Sequence, residues 1–437
     1  FIGSFLILFA ALGLAILCLL ALPFRLALHS LRFLGRRRRS LVRRVVILGL
    51  DGLDPQRVRA MWEKGELPNL KALADRGTFS ELQTTCPPLS PVAWSSFATG
   101  VNPGKHNIFD FLNRDCRTYL PELSSTRIRT GRRRGLFRRA SPEITLLRKS
   151  QPFWKALGEH GIFSAILRVP ITFPPEPFNG LSLSAMCVPD LRGAQGAFTY
   201  YTTSAEEARR QAVADDIAGS EGARLQVTLA DGRISADLPG PATGGKASTV
   251  PFTVQLPGKR SDATLFLQDE RGDLTVGIYS DWVRVRFRVG LFHVTGICRF
   301  LLISTRPEFR LYVTPINLDP EQPAMPISHP GYYSIYLAKL LGPFATLGLA
   351  EDTWALSDGV LDDRAFLRQA YDIHDERKRM FFEALKRTRK GLCCCVFDLP
   401  DRIQHMFFRY ADERRPAADT NVGDPVADAY RASDALV

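Results

Sequence analysis

Two short uninterrupted apolar runs stand out along the chain, residues 45–50 (Val-Val-Ile-Leu-Gly-Leu) and 392–397, and an aspartate follows each of them. Runs of this length without polar alternation predict strands buried on both faces, as in a parallel sheet. Between and after them the period changes. Pro68-Asn69-Leu70 opens a helical stretch, Gly77 leads toward another strand, and helical patterns return at 332–341 and 363–388. Strands alternating with helices predict an α/β domain with a mostly parallel sheet between helices.

From about residue 220 the texture differs. The run 225–229 precedes Asp231-Gly232, a hairpin-turn pair. Residues 282–289 alternate strictly, with Val283, Val285, Phe287 and Val289 on one face and Arg284, Arg286 and Arg288 on the other. That period of two predicts a half-buried antiparallel strand. Residues 205–330 therefore read as a β-rich insertion dividing the core into 45–204 and 331–437. The arginine stripe is weighed as an anion-binding surface against an ordinary solvated face, and the solvated face is favoured. Residues 127–149 read as a polar, arginine-rich loop within the first core segment. No internal repeat is found.

The N-terminal 24 residues are apolar apart from Ser4, and the first charge is Arg25. At a helical rise of ~1.5 Å per residue this run spans a bilayer core. A signal peptide is the rival, but its apolar region is shorter, ~7–15 residues, and ends at a small-residue cleavage site. Residues 1–28 are therefore expected to form a transmembrane helix, with Phe1 marking an incomplete N-terminus, and 29–44 a basic linker. Arg36-Arg37-Arg38-Arg39 follows the helix, so the positive-inside rule puts the catalytic domain in the cytoplasm. The net charge of +12 raises nucleic-acid binding. The surplus is concentrated at 36–44 and 127–149 and no nucleic-acid module accompanies it, so a membrane surface is expected as partner and nucleic acid is not. Cys393-Cys394-Cys395, within one apolar run, suit buried free thiols better than a disulfide framework.

Three places carry candidate chemistry. Asp51 closes the first run, where an open α/β sheet places its ligand crevice; the competing reading is a turn former beside Gly52. Ser90-Pro91 reads as a helix N-cap followed by proline at the first helical position. The same hydroxyl, at a helix N-terminus that stabilises anions, would become a nucleophile if a divalent cation lowered its pKa. Asp401 and His405 share one face of a helix opening near Pro400, a carboxylate–imidazole pair suited to zinc or manganese, although such pairs are more often plain surface pairs.

Taken in order, Leu48-Gly49-Leu50-Asp51-Gly52, Ser90-Pro91 before Gly100, Asn102-Pro103-Gly104-Lys105-His106 and Asp401-Arg402-Ile403-Gln404-His405 resemble the type I phosphodiesterase/nucleotide pyrophosphatase group of the alkaline phosphatase superfamily. Asp190 and Asp319 lie in further segments that resemble it, 189–193 and 317–320. The resemblance implies an alkaline phosphatase-like core and two divalent metal ions, zinc with manganese as alternative, flanking a covalent phospho-enzyme. It implies Ser90 as nucleophile, Asp51 and Ser90 at one metal, and Asp401 and His405 at the other. It also implies a later Asp-His pair and a further histidine, and no such motif follows His405. The expectation is a truncated chain, inactive as it stands, from an enzyme acting on a phosphate ester such as a nucleotide, lipid head group or sugar phosphate. His106 is expected to pack or orient the site loop, and His329 and His374 to be structural or exposed.

Alternatives remain open. The Ser90-Pro91-Val92-Ala93-Trp94 segment lacks the sulfatase nucleophile pattern. A phosphoryl or head-group transferase, or a phosphoglycerate mutase-like enzyme, would share the core motif. A non-catalytic membrane-anchored binding module is the competing class.

Overall fold

The computed structural model describes residues 42–129, 143–210, 222–243, 246–256, 262–290, 292–411 and 422–437. The expected transmembrane helix and nearly all of the basic linker lie outside the described residues. Among the described residues no helix is long and apolar enough to cross a membrane.

The chain opens with β1 (Arg44–Leu50), α1 (Pro55–Glu63), α2 (Pro68–Arg76), α3 (Ser90–Thr99) and the single turn α4 (Pro103–His106). Two hairpins follow, β2 (Leu112–Arg114) with β3 (Pro121–Leu123), and β4 (Thr126–Arg129) with β5 (Glu143–Leu146). The expected loop at 127–149 is thus corrected at both ends. Arg127-Ile128-Arg129 pairs with residues 143–145, because alternation around Ile128 and Ile144 suits a strand pair; residues 130–142 lie outside the described residues. Next come α5 (Phe153–Glu159), β6 (Ser164–Leu167), β7 (Gly180–Leu183), β8 (Thr199–Thr202) and α6 (Ala205–Arg209).

Strands then dominate: β9 (Ala223–Gln226), β10 (Leu229–Ala230), β11 (Arg233–Thr243), β12 (Lys246–Gln255), β13 (Ala263–Leu267), β14 (Glu270–Leu274), β15 (Val283–Val289), β16 (Phe292–Cys298), β17 (Phe300–Ser304), β18 (Arg310–Val313), β19 (Asn317–Leu318) and β20 (Ser328–His329). The remainder is α7 (Tyr332–Leu341), α8 (Thr353–Ser357), α9 (Asp363–Arg387), β21 (Gly391–Phe397), α10 (Leu399–Ala411) and α11 (Pro425–Asp434).

The central sheet has the order β1-β21-β6-β7-β20, parallel except for β20. β21 meets the expectation of a fully buried strand, with Cys393, Cys394 and Cys395 at 0% exposure. All seven cysteines among the described residues are free. β1 does not meet that expectation. It is the edge strand, and Val45 and Val46 remain 45% and 42% exposed. A β-branched run fits edge and centre equally well, so composition does not separate the two.

In the strand-rich stretch, Asp231 and Gly232 take positive φ between paired Ala230 and Arg233, the two-residue turn whose twist matches a hairpin. β15 shows the predicted alternation: Val285 and Phe287 are fully buried, while Arg286 and Arg288 are exposed. Arg284 is engaged by Asp319 at 2.7 Å and Glu321 at 3.3 Å. β8 joins β18 and β9 in one sheet, so strand-rich structure begins at Thr199. Phe173, Val188 and Leu191, from loops of the central sheet, share one apolar cluster with β11–β18. This cluster binds the strand-rich part to the α/β part.

Candidate active site

The site begins with a register. β1 and β21 run parallel with Leu50 opposite Phe397, so Asp51 and Asp398 leave the sheet side by side at its carboxyl edge. The Asp51 N–H donates to Phe397 O at 2.9 Å and extends the ladder by one step. Gly52, at φ 72°, then turns the chain away. A Cβ on Gly52 would lie 2.9 Å from the Asp401 Cα, so glycine is what lets the corner after β1 touch the start of α10.

Asp51 is 9% exposed, and its pKa is pushed up to about 6. Burial is the main cause, the nearby Asp401 charge is the next, and Asp398 adds to both. Hydrogen bonds from the Trp94 and Ser90 side chains favour the charged form and pull the other way. Asp51, Ser90 and Asp401 are therefore brought together, although 350 residues separate the first from the last.

Ser90 was expected to cap its helix. Instead Leu89 occupies the cap position without a side-chain bond, and Ser90 is the first helical residue with Pro91 behind it. One residue of slippage changes the chemistry. A capping serine spends its oxygen on backbone N–H groups, whereas this hydroxyl faces Asp51. Its place at the N-terminus of a ten-residue helix also puts it where the dipole favours an incoming anion. The helix is held against the sheet by Trp94. A Cβ on Gly49 would lie 2.6 Å from the indole, so this packing requires glycine.

His106 orients the far side of α3, as expected. It is fully buried, the Ile108 N–H donates to its Nδ1 at 3.2 Å, and Nε2 lies 2.9 Å from Ser96 Oγ. Burial lowers its pKa, as does the Arg148 charge, so the neutral ring carries its proton on Nε2 and donates to Ser96.

Asp401 and His405 lie on one face of α10, with Nε2 3.4 Å from Oδ1. Asp401 is mostly buried, at 14% side-chain exposure, and His405 is open at 69%. The hydrogen bond that His405 donates to Asp401 raises the His405 pKa, and the Asp51 charge acts in the same direction. The imidazole thus extends the carboxylate cluster toward solvent.

Sequence reasoning did not single out the charged floor beneath these residues. Arg377 Nη1 donates to Asp398 Oδ1 and, at 3.3 Å, to Val396 O. Arg168 directly follows β6 and donates to Ser184 O and Leu347 O, each at 2.9 Å. Glu351 lies 3.7 Å from Arg402, the neighbour of Asp401. His374 sits against Phe397, and burial lowers its pKa to about 4. A signal for Arg377 was present: it occupies the buried stripe of α9, spaced from Phe366, Ala370, Ile373, Met380 and Ala384 as an apolar residue would be.

Other predicted residues lie elsewhere. Asp190 organises its own loop, accepting from the N–H groups of Arg192, Ala194 and Ala197. Asp319 belongs to the Arg284 pair. His329 Nε2 bonds the Phe178 backbone. The groove of about 1120 Å³ between Trp282, Arg299 and α9 includes none of the candidate residues.

Among the described residues no group of three or more His, Cys, Asp or Glu side chains is placed to hold a metal ion. The donor chemistry at the corner nevertheless fits a divalent cation. Asp51 is buried beside two further carboxylates and strained in its charged form, a condition that a bound cation relieves.

No curated protein and no solved structure matches this chain. The family model described as type I phosphodiesterase / nucleotide pyrophosphatase matches residues 45–231, less than half of the chain, and that stretch holds Asp51, Ser90 and the 102–106 segment but neither Asp401 nor His405.

Proposed function

We propose that this protein is a metal-dependent phosphate-ester hydrolase, of phosphodiesterase or nucleotide pyrophosphatase type, with Ser90 as nucleophile. The observation that carries the reading is the release of the Ser90 hydroxyl from capping and its placement beside Asp51 at the carboxyl edge of the sheet. The family match over 45–231 supports the reaction class.

Asp51 and Ser90 would hold one divalent ion and Asp401 and His405 another, with zinc or manganese suited to these donors. Such ions would supply charge neutralisation for the phosphoryl oxygens and activation of the attacking oxygen. The chain's own part is positional. The α3 N-terminus favours the approaching phosphate, Asp51 orients the Ser90 hydroxyl, and the hydroxyl proton leaves with the departing ester oxygen. Ser90 Oγ forms the bond to phosphorus as the ester oxygen leaves, and water then breaks the Oγ–P bond to release phosphate or its monoester. His405 forms the solvent-facing end of this donor set, with Asp401 as its buried partner.

The N-terminal apolar run anchors this domain to a membrane, with the domain on the cytoplasmic face, and lipid-linked phosphate esters are the favoured substrates. The test is cleavage of bis-p-nitrophenyl phosphate and p-nitrophenyl phosphate by the full-length protein. Wild type and Ser90→Ala are compared with and without zinc or manganese. Metal-dependent turnover lost in Ser90→Ala supports the reading, and the diester-to-monoester ratio names the reaction. A folded, metal-loaded protein that cleaves neither ester sinks it in favour of a transferase or binding module.

A further inference from the structure

Gln404 stands between the two candidate ligands of α10, three residues after Asp401 and one before His405. Its side chain reaches across to the other corner of the site. Nε2 donates to Gly52 O at 2.7 Å and to Pro400 O at 3.0 Å. Gly52 directly follows Asp51, so one amide joins the turn after β1 to the helix that carries Asp401 and His405.

The orientation of that amide is fixed from behind. Tyr430, on α11, is fully buried in a cluster with Val58 and Met61 of α1 and Ile403 and Phe407 of α10. The Asp54 N–H donates to the Tyr430 hydroxyl at 2.9 Å, and the hydroxyl donates to Gln404 Oε1 at 3.2 Å. A phenol has a single proton. Because Asp54 supplies a proton of its own, the Tyr430 proton is free for Oε1, and the Gln404 NH2 group is left for the two carbonyls. The reversed amide would set Oε1 against Gly52 O and Pro400 O, acceptor against acceptor. Asp54 is itself the N-cap of α1, accepting from the Gln56 N–H at 2.9 Å. The hydrogen bonds thus run from Asp54 through Tyr430 and Gln404 back to Gly52, a closed ring on the corner that begins with Asp51.

We propose that Gln404 is a positioning residue that fixes Asp401 and His405 relative to Asp51 and Ser90, with Tyr430 holding its amide in the donating orientation. The proposal rests on the metal-dependent reading above. Two ions that clamp one displacement lie ~3.5–4 Å apart, and ~1 Å of misplacement caused away from the chemistry can cost ~100-fold. Asp51 and Asp401 belong to separate elements, so a tie between those elements sets how closely that tolerance is met. Gln404 acts by placement, since its NH2 group bonds backbone carbonyls.

Manganese supplies the readout. Chelator-stripped full-length protein is titrated with Mn2+ and followed by electron paramagnetic resonance, for wild type, Gln404→Met and Tyr430→Phe. Urea unfolding of the metal-free forms is measured in parallel. Wild type should take up two ions with an exchange-coupled spectrum. In Gln404→Met the coupled signal should give way to that of separate ions, and the second ion should bind at least about tenfold more weakly, the cost of losing an outer-shell partner. Tyr430→Phe keeps the amide but frees it to turn, so its loss of coupling and affinity should be smaller. Stability should rank the other way. Tyr430 is fully buried and its loss leaves the Asp54 N–H without that acceptor, whereas Gln404 is half-buried. A merely structural role does not produce these opposite rankings. A coupled spectrum and a tight second site retained in Gln404→Met overturn the proposal and leave the metal reading intact. Metal effects that simply follow the loss of stability across the two variants also overturn it. Wild type that binds no manganese pair overturns the proposal together with its two-ion premise.

Discussion

Asp51 and Asp398 follow adjacent parallel strands at matched register, yet one carboxyl is pushed up to about 6 and the other held below its ordinary value. Both leave the sheet at the same edge, and burial acts on both in the same direction. The difference is the partner. Arg377, on the buried stripe of α9, binds Asp398 directly and fixes it as an anion. Among the described residues Asp51 has no such cation. Its neighbours are Ser90, Trp94 and two further carboxylates. The Asp398 corner is neutralised within the fold, and the Asp51 corner is the one at which the proposed reading would put a bound cation.

That contrast can be broken from either side. The largest effect is expected at the reacting group: Ser90→Ala should lower metal-dependent ester cleavage by about three orders of magnitude or more. Its melting temperature should stay near wild type, as the hydroxyl caps no helix. Next in size is Arg377→Met, which leaves Asp398 buried without its hydrogen-bonded partner and should cost about 3–5 kcal/mol in urea unfolding. Arg377→Met with Asp398→Asn should recover most of that loss. If the double variant is no better than the single one, the pair is not what stabilises that corner.

The pH dependence of Asp51 sharpens the comparison. Its folded-state pKa, about 6, lies above the ordinary 3.8, so across that window the folded form binds more protons than the unfolded form. With cations chelated, this group should make stability fall as pH rises from about 4 to about 6, by roughly 3 kcal/mol at most. Asp51→Asn should remove that part of the slope and raise metal-free stability at pH 7. Urea titrations at several pH values check this, and a variant with an unchanged slope would refute it. The smallest effect is expected at Gly52→Ala. A left-handed backbone with a side chain costs about 1–2 kcal/mol, and the added methyl also presses on Asp401. Its cation affinity should fall even where differential scanning calorimetry shows most stability retained.

Much of the fold was legible because it is local. The runs ending at Asp51 and Asp398, the Asp231-Gly232 turn and the β15 alternation each depend on neighbours within a few residues. The edge position of β1 was not legible, since exposure of Val45 and Val46 is set by which strands stand beside them. Asp51, Ser90, Asp401 and His405 were picked out from local signals and family resemblance, and the fold brings the first three together. The capping assignment at Ser90 missed by one residue, because Leu89-Ser90-Pro91 allows the helix to start at either position. The floor of Arg168, Arg377, Glu351, Asp398 and Arg402 was hidden for another reason. Charged residues read singly as surface, and only the fold brings residues 168 and 402 together.

The central claim is that the corners after β1 and β21 form one cation-dependent site. Isothermal titration of zinc into chelator-stripped protein tests it most directly, comparing wild type with Asp51→Asn, Asp401→Asn and, as a distant control, Asp190→Asn. Loss of an outer-shell partner alone costs about 10–100-fold in affinity, so either corner variant should weaken binding by at least about 100-fold. Asp190→Asn should leave it unchanged. Zinc binding that survives intact in both corner variants would contradict the account.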